Sequence, residues 1–176
     1  RVKPDLVAAV RGTKPIGEVA KALALLRRWN NTAAPDSRGG ALFEIWAQRY
    51  SQVRQGRGMF AHEWSATDPL RTPRGLAESS QAAEAFEWAV EETARRYGRW
   101  DVAWGDVHRV RRGSVDVPVG GCSGFLGCFR VLGYVRGDDG ALVPNSGDGW
   151  VLAVEFGATP RAYSVLAYGE SSKPES

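Results

Sequence analysis

The period of the apolar residues changes at Gly98, and this change constrains the fold more than any other feature of the chain. Before Gly98 the apolar residues recur at helical spacing. After it, short runs of β-branched and aromatic residues are bounded by Gly, Asp or Pro, which is the pattern of strands. Residues 4–11, "PDLVAAVR", predict a short helix with Pro near its start and Gly12 as its stop. "PIGEVAKALALLRRW" places Ile16, Val19, Leu23, Leu26 and Trp29 on one stripe, with Arg27 and Arg28 where cations suit the helix dipole. After the loop "NNTAAPDSRGG", the segment "ALFEIWAQRYSQVRQ" aligns Leu42, Trp46, Tyr50 and Val53, with Phe43 on the flank. The clearest helix is "SSQAAEAFEWAVEETARRYG". It is expected to be capped by Ser79 or Ser80, to turn Phe86, Val90 and Tyr97 inward, and to end at Gly98. Residues 56–78 carry no period, so a long loop or several short pieces is expected there.

Beyond Gly98, "DVAWGDVHRVRRG", "CFRVLGYVRG", "GWVLAVEFG" and "RAYSVLAYG" read as strands, the last two joined by "ATP" as a hairpin. Helices first and strands second make the class α+β: one region over 1–176, mainly helical over 1–98 and mainly β over 99–176. A hydrophobic content of 43%, with seven Trp, six Phe and five Tyr, is enough for a real core. No apolar run approaches the length of a membrane-spanning helix, so no membrane partner is expected. The net charge of +3 has its best cluster in "HRVRR", residues 108–112. That is too few cations for a nucleic-acid partner, whose binding rests on many phosphate contacts. The first residue is Arg1 and not Met, as expected of a chain cut from something longer.

The residues that invite chemistry each have a plainer reading beside them. Cys122 and Cys128 lie in "PVGGCSGFLGCFR", six positions apart. With only two His in the chain, a four-ligand zinc set is hard to assemble, so no metal site is expected. A Cys-His hydrolase would draw on His108, Asp106 or Asp116, but nothing in the sequence brings them to either thiol. A disulfide and two buried free thiols remain open at this point. The glycines of this stretch lack a phosphate-loop pattern, and Ser123 in "GCSGF" matches a nucleophile elbow only loosely. His62 reads as a loop contact and His108 as a hydrogen-bonded structural residue. "GDDG" at 137–140 and "NSGDG" at 145–149 are expected to be tight turns, because their spacing does not match a calcium loop.

The ordered set "ALALLRRWNNTAAPDSRGGALFEIWAQRY", "WGDVHRV" and "GDGWVLAVEFGATPRAYSVLAYGESSKPES" resembles the C-terminal part of the penicillin amidase family. In particular it is similar to the branch of acylases that cut N-acyl homoserine lactones and lipopeptides such as aculeacin. The resemblance implies an N-terminal nucleophile hydrolase of αββα scaffold, with no cofactor. In that family a Ser freed by precursor cleavage attacks the amide, its own α-amino group is the base, and backbone and Asn donors hold the oxyanion. All of these precede the helix matching "LL..W", so no catalytic residue is expected in this chain, and Asn30 and Asn31 are not the family's Asn. The implied partners are the small subunit and the N-terminal part of the large subunit, and the implied location is periplasmic or extracellular. In an exported enzyme Cys122 and Cys128 are expected to form a disulfide. Closing a loop of about seven residues is worth about 2.4 kcal/mol. The alternative is a stand-alone binding module, which would expose several of Trp46, Trp64, Trp88, Trp100, Trp104 and Trp150 in one groove.

Overall fold

The computed structural model describes residues 1–166. It divides into two compact units, the first made of Arg1–Thr32 and Asp36–Trp104, the second of Ala33–Pro35 and the chain from Gly105 onward. The class is α+β, with five α-helices and short antiparallel strand pairs among the described residues.

The first unit holds four helices: α1 (Lys3–Gly12), α2 (Gly17–Arg28), α3 (Gly40–Arg54) and α4 (Ser79–Tyr97). The helix α4 is the hub, packed against α1, α2 and α3. Of the expected inward face, Phe86 and Val90 are buried and Tyr97 is half-buried, and Ala82, Ala83, Ala85 and Ala89 are buried with them and let neighbouring helices approach. On α3 burial spreads beyond the expected stripe: Ala41, Leu42, Ile45, Trp46, Ala47 and Tyr50 are all in the core. Ile16, assigned to the α2 stripe, is 86% exposed. It is the extended residue before the helix starts, so its side chain is not carried round with the helical period.

The start of α4 also differs from the sequence expectation. Ser79 and Ser80 are inside the helix, and the cap position is Glu78, which makes no side-chain cap bond. The phenol of Tyr50, on another helix, instead holds the backbone of Glu78 itself, accepting from the Glu78 N–H at 2.9 Å and donating to the Glu78 carbonyl at 3.3 Å. The far end of α4 closes as expected, with Gly98 left-handed at φ 77°. Residues 56–78 are short pieces held by a local antiparallel bridge, His62 against Arg74.

Near the end of α4, Glu92 accepts from both Arg95 and Arg96, with shortest contacts of 2.6 Å to each. These bonds, Arg95 foremost, hold its carboxyl down to about 2, against the opposing pull of burial. A depressed folded value means that the unfolded chain binds the extra proton. The contribution is therefore complete above the unfolded value of about 4.3 and lost as pH falls towards about 2. Arg95 is largely exposed and solvent screens the pair, so Glu92→Gln is expected to cost about 0.5–1 kcal/mol at neutral pH. Urea unfolding at several pH values checks this: the gap between the two proteins should close on acidification, and a pH-independent gap would refute the ion-pair origin.

The second unit consists of hairpins. β1 (Arg109–Arg112) pairs antiparallel with β2 (Val115–Pro118) through a two-residue loop whose Gly113 takes φ 56°. β3 (Leu132–Arg136) pairs with β4 (Leu142–Gly147), and β5 (Trp150–Glu155) with β6 (Arg161–Leu166). Buried in this unit are Val107, His108, Val119, Cys122, Leu132 and Ala141. Two segments are not as the sequence predicts. The expected strand "DVAWGDVHRVRRG" begins with a helical turn, α5 (Trp104–Val107), and only its second half is strand. Asn145, Ser146 and Gly147 of "NSGDG" belong to β4, which leaves the turn to the residues after them. Pro144 masks β4 in the sequence; it faces Tyr134, beside the register shift between Gly133 and Tyr134, where the ladder is irregular. "GDDG" is a tight turn, with the Gly140 N–H donating to the Gly137 carbonyl at 2.9 Å. The last three residues of "RAYSVLAYG" lie outside the described residues.

Candidate functional site

The segments singled out in the sequence meet in an aromatic knot of the first unit. The Trp29 indole N–H donates to Ser37 Oγ at 2.9 Å and to the Thr32 carbonyl at 3.0 Å, and the Ser37 hydroxyl donates to that carbonyl at 2.8 Å. The Trp104 N–H donates to the Ser37 carbonyl at 2.8 Å, and Arg38 bridges Ala103 beside it. Rings then continue inward, Trp29 to Phe43 at 5.1 Å, Phe43 to Trp46 at 4.9 Å and Trp46 to Tyr50 at 5.6 Å. Two glycines make the approach possible. A side chain on Gly39 would meet Trp29 at 3.1 Å, and one on Gly40 would meet Trp104 at 3.0 Å. Trp29 of "LL..W", the segment "SRGGALFEIW" and Trp104 are therefore parts of one packed object. Sequence reading found the parts but missed that Ser37 ties them, because no local signal marks a hydroxyl bonded to a tryptophan eight residues away.

The cysteines form a disulfide, Cys122–Cys128, with a Cα separation of 5.5 Å. The bonded sulfurs are neither nucleophile nor metal ligands. Between them, Gly124–Leu126 makes one turn of 3-10 helix, with Ser123 as the extended residue before it and not at an elbow leading into an α-helix. The backbone at Cys122 makes a parallel bridge to Val131: the Leu132 N–H donates to the Cys122 carbonyl at 2.9 Å, and the Cys122 N–H to the Arg130 carbonyl at 3.3 Å.

The remaining candidates are held in structural arrangements. His108 is fully buried, its ring edge-on to Tyr134 at 4.6 Å, while its carbonyl accepts from the Val119 N–H. Asp116 is bound by Arg109 at 2.7 Å and by Arg111 at 3.3 Å, and Arg109 chiefly holds its carboxyl below the usual range. Arg111 also binds Asp139 at 2.6 Å and is the main reason that this carboxyl falls to about 2. Asp106 and His62 are exposed. Asn30 Oδ1 accepts from the Thr32 N–H and hydroxyl, an Asx turn leaving α2, and Asn31 is left-handed at φ 63°. The described residues contain no group of three or more His, Cys, Asp or Glu arranged to hold a metal ion.

Of the tryptophans asked to discriminate a binding module, Trp46 and Trp104 are buried and Trp88 and Trp100 are half-buried. Trp64, in the first unit, and Trp150, in the second, are each 62% exposed. Each unit thus presents a single exposed tryptophan, and neither carries a groove lined by several.

The family model for penicillin amidase matches residues 1–176. The chain belongs to the penicillin amidase family. Within it, the chain is similar to the acyl-homoserine lactone acylase PvdQ of Pseudomonas savastanoi pv. phaseolicola, with 30% identity over all of this chain and 23% of that protein. The PvdQ of Pseudomonas fluorescens is also 30% identical, over 86% of this chain and 20% of that protein. Aculeacin-A acylase of Actinoplanes utahensis is 28% identical over 99% of this chain and 22% of that protein. The chain thus spans less than a quarter of the length of these penicillin amidase relatives. The aromatic knot and the disulfide loop both fall inside the family match. The closing segment of the resemblance, from residue 167, lies outside the described residues. No described helix is long and apolar enough to cross a membrane.

Proposed function

We propose that this chain is the C-terminal structural region of the large subunit of an amide-bond hydrolase, a truncated piece of an αββα scaffold. The enzyme removes the acyl group from an acyl homoserine lactone, a lipopeptide or a β-lactam antibiotic. The observation that carries the reading is the role of the residues through which the chain matches the family. Trp29, Ser37, Gly40, Trp46 and Trp104 are engaged in holding helices and loops together, which supports a structural role for this region. Family membership supplies the activity class, and the named relatives supply the acyl-amide substrates.

The catalytic groups then sit upstream, on the remainder of the acylase. A serine at a new N-terminus attacks the amide carbonyl while its α-amino group, with a pKa near 8 in the free state, takes the hydroxyl proton. Backbone and Asn donors stabilise the oxyanion, the amine leaves with the proton, and water releases the acyl group from the serine. The role of this chain is to keep the wall of that site in place through a rigid packed unit. The disulfide supports a periplasmic or extracellular setting, where such bonds persist.

The test compares the purified chain with the same chain joined to its upstream polypeptide, using acyl homoserine lactone hydrolysis as the readout. Turnover is expected only from the longer protein. Turnover by this chain alone would overturn the assignment of catalysis to upstream residues.

A further inference from the structure

The two sulfurs of the Cys122–Cys128 bond stand in unlike surroundings. Cys122 is 3% exposed, and its backbone is fixed by the bridge to Val131. A side chain on Gly121, just before it, would meet the Arg130 carbonyl at 3.0 Å and Leu132 at 3.1 Å, so that flank is filled. Cys128 is half-buried. It lies between Gly127, where an added methyl group meets nothing within 4 Å, and Phe129, which is 81% exposed. The loop between the sulfurs has little else to hold it. None of Gly124–Leu126 is buried. The loop's own ties run from the Leu126 N–H to the Ser123 carbonyl and from the Gly127 N–H to the Gly124 carbonyl, each at 3.0 Å. Among the described residues no hydrogen bond joins residues 124–129 to anything beyond Ser123.

We propose that Cys128 is an S-thiolation site for a small thiol of the glutathione class, and that the disulfide is a latch which such a thiol opens. Thiol–disulfide exchange runs by attack of a thiolate on one of the two sulfurs, and access decides which. The approach to Cys122 is filled by the Arg130 backbone and the Leu132 side chain, whereas the approach to Cys128 is open. The incoming thiolate bonds to Cys128 Sγ and the Cys122–Cys128 bond breaks. Its electron pair leaves on Cys122 Sγ, which takes a proton from water. The Ser123 carbonyl, 3.6 Å away, accepts from the thiol so formed. One disulfide replaces another, so no further oxidant or reductant is consumed. Charge placed on the buried Cys122 sulfur slows the step, which keeps the latch shut where thiols are scarce. The Cys122 thiol returns to expel the added group when the thiol is removed, so the modification is reversible. With the bond open, residues 123–129 lose their covalent tie, and the exposed Phe125 and Phe129 move with them.

The test incubates the chain joined to its upstream polypeptide with reduced glutathione under native conditions, then blocks free thiols by alkylation in mild acid. Digestion after Phe125 puts the two cysteines on separate peptides for mass measurement. Glutathione on Cys128 with alkylated Cys122 is expected to exceed the converse by about tenfold or more. Brief chymotrypsin treatment should cut after Phe125 about tenfold faster in the glutathione adduct than in the closed form, because a protease needs a locally opened segment. Adduct on Cys122, an even division between the two, or no adduct at all would overturn the site. An unchanged cutting rate would overturn the latch. Mass and cleavage are read without amide hydrolysis, so failure here leaves the acylase reading standing.

Discussion

Trp46→Ala is expected to destabilise the first unit by about 3–5 kcal/mol, a large part of the roughly 5–15 kcal/mol that holds a domain folded. Trp46 is completely buried on α3 and stands in the middle of the ring series, between Phe43 at 4.9 Å and Tyr50 at 5.6 Å. Its indole N–H crosses to α4, donating to the Ala82 carbonyl at 3.0 Å. Truncation therefore opens a cavity between stiff aromatic neighbours and removes a polar tie between the two helices. The damage should spread along α3, because Tyr50, stacked on Trp46, is the residue that holds the Glu78 backbone at the start of α4. Trp46→Phe separates the contributions. It keeps most of the apolar volume and loses the indole bond, for an expected cost of about 1–2 kcal/mol. Denaturant unfolding of the three proteins, with hydrogen exchange in α3 and α4, gives the comparison. A loss under about 1 kcal/mol for Trp46→Ala would show that the α3–α4 seam does not hold this unit.

Local patterns made most of this unit legible in the sequence. The i, i+3, i+4 recurrence in 16–29, 42–53 and 79–97 is a backbone property, and each helix formed within a residue or two of its expected span. Gly98 ended α4 because few other residues take its left-handed conformation without strain. What failed was decided at long range. Ser79 lies inside the helix, while the backbone of Glu78 at the cap position is held by a phenol twenty-eight residues away, and the Ser37 carbonyl accepts from a Trp104 brought in by the fold. The β region was less legible because strands of four to six residues carry little pattern: β2 passed unnoticed, and β4 hid behind Pro144 and "NSG". The candidate site shows the same division. "LL..W", "SRGGALFEIW" and "WG" marked the family through their order. That Trp29, "SRGGALFEIW" and Trp104 form one knot depended on glycines whose missing side chains admit the two tryptophans.

The second large effect is expected at Gly147→Ala, a change of one methyl group. Gly147 closes β4 at φ 137°, a conformation that residues with a side chain rarely adopt. A Cβ there would lie 2.3 Å from the Val131 carbonyl oxygen and 2.8 Å from Leu132 Cα. Both obstacles are backbone, so no rotamer change relieves them, and one of the two strands must move. Val131 and Leu132 are fixed from both sides. The Val131 N–H donates to Asp148 Oδ2 at 2.8 Å and its carbonyl accepts from the Asp148 N–H at 2.9 Å, while the Leu132 N–H is bound to the Cys122 carbonyl in the disulfide loop. Moving away from the new methyl group would press on that loop, and moving Gly147 would break the Asp148 pair and uncover Leu132, which is fully buried. Overpacking at about 1–3 kcal/mol and backbone strain of similar size give an expected loss of about 2–5 kcal/mol. Gly149→Ala, two residues on, is the control, because its added methyl group meets nothing within 4 Å and it should change stability by less than about 0.5 kcal/mol. Unfolding midpoints followed through the second unit decide it. Equal effects at the two glycines would mean that the corner between β3 and β4 yields, and that Asp148 and the disulfide do not pin it.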